Sequence, residues 1–278
     1  AFTVTFAGAA ATTAPTVATI KAGTVVLNGI EAVTVASSGG ANTWNSIALT
    51  DDKMKTVTIT GDKNLDLTFA GTNGTNGASG GAVSSIDGSA ATGKLNINTT
   101  AVTADSAAAG MTVKGGSADD TITLAQKATV DGGAGKDTIV TALAGGALTG
   151  GADNDKFDVV LSIAAAGALT EATGAFKTSI TDLTAGDSIK LLAAASAFTS
   201  TKVALGAGVT NLDQALAQAT ITPADNTVTW FQYGSSTYVV SNDGTLGFGA
   251  GDIVVKLTGL VDLSSSTLDT TTDYLTIV

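Results

Sequence analysis

Residues 115–158 read GGSADDTIT LAQKATVD GGAGKDTIV TALAGGALT GGADNDKFD, and this stretch decides the fold. Three glycine pairs, Gly115-Gly116, Gly132-Gly133 and Gly150-Gly151, each open a nine-residue unit. Each unit carries an Asp at its sixth place, Asp120, Asp137 and Asp155, and an apolar residue at its eighth, Ile122, Ile139 and Phe157. The units start 17 and 18 residues apart, close to two nonapeptides per step. The fourth place is glycine only in the middle unit, at Gly135; Ala118 and Asp153 stand there in the outer two.

This is the G-G-x-G-x-D-x-U-x pattern of a calcium-binding parallel β-roll. A coil of eighteen residues places each glycine turn above the one before it. Glycine permits the tight, positive-φ turn and leaves carbonyls exposed. The sixth-place Asp residues are expected to stack at the loop edge. There carboxylate and carbonyl oxygens would surround a hard cation with irregular coordination, such as Ca²⁺. Without the ion the carboxylates repel one another, so binding and folding are expected to be one event. The eighth-place residues point inward. The opposite positions, Leu124–Lys127 and Ala142–Gly145, carry no Asp, so one ladder on one edge is expected.

Composition narrows the function. The chain has 278 residues, 34 Gly, two Pro and a net charge of −11. Acid is almost all Asp, with Glu only at positions 31 and 171; base is all Lys. Abundant Thr, Val and Gly favour short strands and turns. There is no Cys and no His, which excludes disulfides, thiolate metal sites, Ser-His-Asp triads and HExxH zinc sites. An acidic chain without Arg is a poor match for nucleic acid. No apolar run reaches membrane-spanning length. The start at Ala1, in mid-pattern, is read as the C-terminal piece of something longer.

Along the chain, alternation predicts strands at Phe2–Phe6, Thr24–Leu27, Glu31–Val35, Ser46–Leu49, Lys55–Thr60 and Leu65–Phe69. Others follow at Val83–Asp87, Leu95–Asn98 and Met111–Lys114. Trp44 reads as a packing residue. Residues 71–81 read as a surface loop. Beyond Phe157, strands are expected at Val159–Ile163, Ser179–Asp182, Thr227–Tyr233, Ser236–Ser241, Asp252–Leu257 and Leu260–Leu263. Gly234-Ser235 reads as a hairpin link, and residues 211–219 as a short helix with a capped start. Residues 273–278 suit a final edge strand. Asp182 and Asp187, in a turn of related composition, could hold a further ion or simply face water.

The expected fold is therefore all-β: a right-handed parallel β-solenoid with a calcium β-roll, followed by a C-terminal β-rich cap with one or two short helices. Residues 1–110 would form an irregular solenoid, 111–160 the roll and 161–278 the cap.

The nonapeptides resemble the RTX (repeats-in-toxin) class. GIEAVTV at 29–35, KTVTITGDKNLDLTFAG at 55–71 and VSSIDGSAATG at 83–93 narrow the likeness, as do TWFQYGSSTYVV at 229–240 and DIVVKLTGLVDL at 252–263. Together they resemble the C-terminal, crystal-forming region of RTX-type surface-layer proteins of Gram-negative bacteria. The resemblance implies a secreted, non-enzymatic protein that tiles the cell surface through calcium as a two-dimensional lattice of its own copies. It implies Ca²⁺ ligands at Asp120, Asp137 and Asp155 and at the carbonyls of Gly116, Gly133 and Gly151. Asp119, Asp153, Asp182 and Asp187 are further candidates. It also implies export by a type I secretion apparatus, with the last residues as the uncleaved signal. Lipopolysaccharide would be met only through a region not in this chain.

Two other readings stay open from residues alone. The roll also serves as the folding and secretion module of RTX hydrolases. Thr-x-Thr runs such as Thr56–Thr60 would suit an adhesin or ice binder, although strand propensity explains them more simply.

Overall fold

In the computed structural model the described residues are 1–6, 18–40, 43–70, 83–102, 110–124, 126–141, 145–159, 178–191, 195–221, 226–245, 247–249 and 251–278. The chain divides into two compact units, Ala1–Val140 and Thr141–Val278. The division falls inside residues 111–160. The loop expected at 71–81 lies outside the described residues, as do strand residues 160–163, Ala125 of the segment 124–127 and residues 142–144 of the segment 142–145.

The first unit is built of β1 (Phe2–Phe6), β2 (Ala18–Val26), β3 (Ala32–Ser37), β4 (Thr43–Thr50), β5 (Thr56–Gly61), β6 (Asn64–Phe69), β7 (Ser85–Ala91), β8 (Leu95–Asn98), β9 (Met111–Lys114), β10 (Thr121–Thr123), β11 (Ala128–Ala134) and β12 (Thr138–Val140). Odd strands lie side by side in one sheet, in the order β1-β3-β5-β7-β9-β11. Even strands follow the same rule in the other. Each strand thus pairs in parallel with the strand two before it.

The register explains why the sequence alternates. Val33, Val57, Ile86, Val113 and Val130 stand opposite one another across five strands, each at most 1% exposed. Ile47, Leu67, Ile97, Ile122 and Ile139 form the matching column of the even sheet. Burying one such side chain contributes about 1.5–3 kcal/mol. A slip of one residue in any strand would turn its apolar set outward. Asn45 Nδ2 donates to Ser37 Oγ at 2.9 Å, and both residues are fully buried, so the inner sides of β4 and β3 meet. Trp44, on β4, is half-buried.

The second unit is built of β13 (Gly146–Ala152), β14 (Lys156–Val159), β15 (Thr178–Ile180), β16 (Ser188–Leu191), β17 (Ala197–Phe198), α1 (Leu212–Ala219), β18 (Thr227–Tyr233), β19 (Ser236–Ser241), β20 (Ile253–Thr258), β21 (Thr267–Asp269) and β22 (Tyr274–Thr276). One sheet runs β13-β15-β20-β19-β18-β17 and the other β14-β16-β22-β21. Pairing is parallel between β13 and β15, β14 and β16, and β15 and β20. It becomes antiparallel at the β18–β19–β20 meander and around β22. The hairpin turns at Gly234, at φ +57°, and pairs Tyr233 with Ser236.

Helix α1 begins where the sequence places it. Asn211 Oδ1 caps it by accepting the Gln214 N–H at 2.9 Å, and Gln214 Oε1 accepts the Thr210 N–H at 2.7 Å. Such a cap contributes about 1 kcal/mol. Leu212, Ala215, Leu216 and Ala219 form one buried stripe against Phe231, Tyr238, Val240 and Val254. The rings of Phe231 and Tyr238, paired across β18 and β19, stack at 5.2 Å.

Two expectations fail here. Leu260–Leu263 is not a strand. Gly259 bends the chain at φ +94°, and the Thr237 hydroxyl takes up both backbone groups of Val261, at 2.9 and 3.0 Å, which removes them from any ladder. The next strand along the chain is β21, at Thr267–Asp269. The last strand, β22, is not an edge: it lies between β16 and β21, where Leu275 is fully buried opposite Ile189 and Leu268.

Candidate metal centre

The glycine–aspartate turns sit on the crossings between the two kinds of strand. In the first unit, the turn Gly115–Asp120 joins β9 to β10, and the turn Gly132–Asp137 joins the end of β11 to β12. The two turns stack with almost no space between their backbones. A Cβ on Gly115 would fall 2.1 Å from the Gly132 carbonyl oxygen, and one on Gly133 2.2 Å from that of Gly116. Gly133 also holds φ at +107°, which L side chains rarely adopt. Glycine is required there by both contact and conformation.

Close stacking places the aspartates differently from the expected loop edge. Asp120 and Asp137 are each 1% exposed. Asp120 Oδ1 accepts the Leu95 N–H at 2.7 Å, and its Oδ2 accepts the Gly116 N–H at 2.6 Å. Asp137 Oδ1 accepts the Asp120 N–H at 2.7 Å. The sixth-place carboxylate is thus turned inward, where it ties its own turn to the one beneath. Burial pushes the Asp120 carboxyl up to about 6, against the opposing pull of the Gly116 and Leu95 N–H groups. Asp119 is on the outside. Lys94 Nζ lies 2.7 Å from its Oδ2, and its Oδ1 accepts the Lys136 N–H at 3.0 Å. The Lys94 contact holds its carboxyl below the usual range.

The second unit repeats the device. Asp155 is 1% exposed and Asp187 3%. Asp187 Oδ1 accepts the Asp155 N–H at 2.8 Å; its Oδ2 accepts the Thr184 N–H at 2.7 Å and the Thr184 hydroxyl at 3.1 Å. Asp182 clasps the glycine pair of its neighbour, accepting the N–H groups of Gly150 and Gly151 at 3.0 and 2.8 Å. Asp182 and Asp187 are therefore structural acceptors for the turn at 150–155, rather than solvated side chains. Gly151 and Asp153 are exposed and have positive φ. The eighth-place Phe157 is fully buried opposite Ile189.

The donors gathered at these turns are all oxygens, which suits a hard divalent cation and not a soft one. Among the described residues, no three acidic side chains converge on one point. A cation here would rely on carbonyls supplemented by one or two carboxylates. An ionised carboxylate offers about four lone-pair positions. The two N–H groups on Asp120 leave it coordinating capacity. In chemical kind these oxygens suit calcium: a cation would draw on Asp120, Asp137, Gly116 and Gly133 in the first unit, and in the second on Gly151 with one or two of Asp155, Asp182 and Asp187.

Sequence reasoning missed two relatives of this device. Asp252 is fully buried and accepts the N–H groups of Asp243 and Gly249, at 2.9 and 2.8 Å. Burial raises its carboxyl pKa. Asp51, 3% exposed, accepts the N–H groups of Ile30 and Lys53. Asp252 was findable: like Asp120 it follows glycine-rich sequence, and like Asp120 and Asp187 it precedes a buried apolar residue by two, Val254. Asp51 has no glycine pair and carries no such signal.

No protein-family model matches the chain, and no curated protein matches it.

Proposed function

We propose that this chain is a structural protein of a bacterial surface layer, folded and assembled through calcium on the cell exterior. In this reading the sheets are the walls of a right-handed parallel β-solenoid, and residues 111–160 form its calcium roll. The single observation that carries the reading is the stacking of Gly132–Asp137 on Gly115–Asp120, in phase, with the Asp120 N–H on Asp137 Oδ1. Support also comes from the strand order of the first unit, in which each strand joins the one two before it. Calcium, when bound, neutralises inward-facing carboxylates that the protein alone buries at a cost. The chain's own part is to hold those carboxylates and the glycine carbonyls in adjacent turns. The absence of His and Cys removes Ser-His-Asp triads, thiol nucleophiles and HExxH zinc sites. The remaining partners follow from the resemblance: other copies of itself, and a type I secretion apparatus.

The test is electron microscopy of the purified chain at millimolar calcium and again in EGTA, alongside circular dichroism. Ordered two-dimensional sheets with calcium, and a weaker β signal with a lower melting temperature in EGTA, are expected. Discrete monomers at high calcium would remove the lattice reading. A β signal and melting temperature indifferent to EGTA would remove the calcium reading.

A further inference from the structure

A cleft of about 440 Å³ opens in the second unit, well separated in sequence from the glycine–aspartate turns. It exists because the chain leaves β18 and comes back. The strand pairing of β17 continues with the Thr199 N–H on the Val228 carbonyl at 2.9 Å, and resumes with the Val203 N–H on the Trp230 carbonyl at 2.9 Å. Two residues of β18 thus face four residue steps of the partner. Residues 200–202 must bulge outward, as an insertion in a ladder does. The Trp230 indole N–H, donated to the Ser200 carbonyl at 3.0 Å, fixes that bulge. The indole, 2% exposed, forms the floor.

The walls are polar and held in place. Lys202 Nζ donates to Gln232 Oε1 at 2.9 Å, and Gln232 Nε2 donates to the Val261 carbonyl at 3.2 Å. Asp262 Oδ1 accepts the Ser264 N–H at 2.9 Å, and the Lys202 charge acts on the Asp262 carboxylate. One cation and one anion line the same cleft, so their charges nearly cancel and no net field selects a charged ligand. What remains is a set of convergent donors and acceptors around an indole: an ammonium, an amide, a carboxylate and the Ser200 and Ser264 hydroxyls. Its volume lies in the lower part of the ligand-pocket range of about 300–1,000 Å³.

We propose that this cleft is a binding site for a neutral saccharide of one or two rings. A carboxylate accepts from two neighbouring hydroxyls, and ammonium and amide donate to ring or hydroxyl oxygens. The proposal stands on the cleft alone and does not require the surface-layer reading.

The full chain, in millimolar calcium, is titrated with glucose, galactose, mannose, rhamnose, N-acetylglucosamine, maltose and glucuronate, each to about 50 mM. Tryptophan emission is read in a Trp44→Phe background, which leaves Trp230 as the reporter. A saturable change with at least one neutral sugar is expected, weakened at least tenfold by Asp262→Asn and by Gln232→Ala. Both variants should keep the parent's circular dichroism spectrum, because Asp262 is exposed and Gln232 only half-buried. No saturable change with any sugar would overturn the proposal. So would binding confined to glucuronate, or binding that both variants leave intact. Isothermal titration of the parent with the best sugar must give the same affinity; silence there would also overturn it.

Discussion

Replacing Gly133 with alanine tests the stacking of the turns most directly. Two costs follow from the geometry. The residue sits at φ +107°, where an L side chain is strained by about 1–3 kcal/mol. The new Cβ would also lie 2.2 Å from the Gly116 carbonyl oxygen, a backbone atom that cannot swing away as a side chain could. The two turns must then part, which stretches the hydrogen bond from the Ala134 N–H to that same carbonyl, 3.1 Å long, at a further cost of about 0.5–1.5 kcal/mol. The total is about 1.5–4.5 kcal/mol. Gly23→Ala is the control. Its φ is +70°, but nothing lies within 4 Å of its added Cβ, so only the conformational cost of about 1–2 kcal/mol applies. Both sites are in the first unit, as is Trp44. Urea unfolding followed by Trp44 emission in a Trp230→Phe background therefore reads both. The comparison is made in EGTA and in saturating calcium, since the clash exists in either. If Gly133→Ala destabilises no more than Gly23→Ala, the turns are not stacked at this distance and the reasoning fails.

Asp187→Ala removes the acceptor for the Asp155 and Thr184 N–H groups and leaves at least one of them buried without a partner. A loss of about 2–4 kcal/mol is expected, with Asp187→Asn recovering part of it; equal losses would show that the hydrogen bonds are not the cause. For Asp120 the sign follows from burial. Its folded-state pKa, about 6, lies above the ordinary 3.8, so the fold prefers the protonated acid. The stabilisation is complete below about pH 4 and is lost as pH rises through 6. In EGTA the urea midpoint should therefore fall between pH 4 and 6.5, and Asp120→Asn should flatten that part of the profile. A midpoint that rises over the window would reverse the assignment. Saturating calcium should abolish the fall, because the ion binds the ionised form.

The elements were legible to the degree that local pattern governs them. The columns Val33–Val57–Ile86 and Ile47–Leu67–Ile97 come from alternation that any half-buried strand must show, and α1 from a capping Asn followed by a helical apolar stripe. The expectation at Leu260–Leu263 failed because its apolar residues alternate like a strand, while the Thr237 hydroxyl claims the backbone of Val261 from 24 residues away. The candidate centre was half legible. Glycine pairs and Asp at fixed spacing identified the turns, but placed the carboxylates at the rim. Their inward orientation depends on N–H groups, such as that of Leu95, supplied by a strand 25 residues distant.

By itself the sequence determined the β content, the stacked glycine turns, the inward eighth-place residues and the exclusion of His and Cys chemistry. These follow from steric and chemical properties of single residues repeated at a fixed interval. Only the tertiary structure decided which backbone groups each Asp satisfies, that the final strand lies inside its sheet, and that a bulge beside Trp230 opens a cleft. Each of those depends on which segments become neighbours across tens of residues, and no local spacing encodes that.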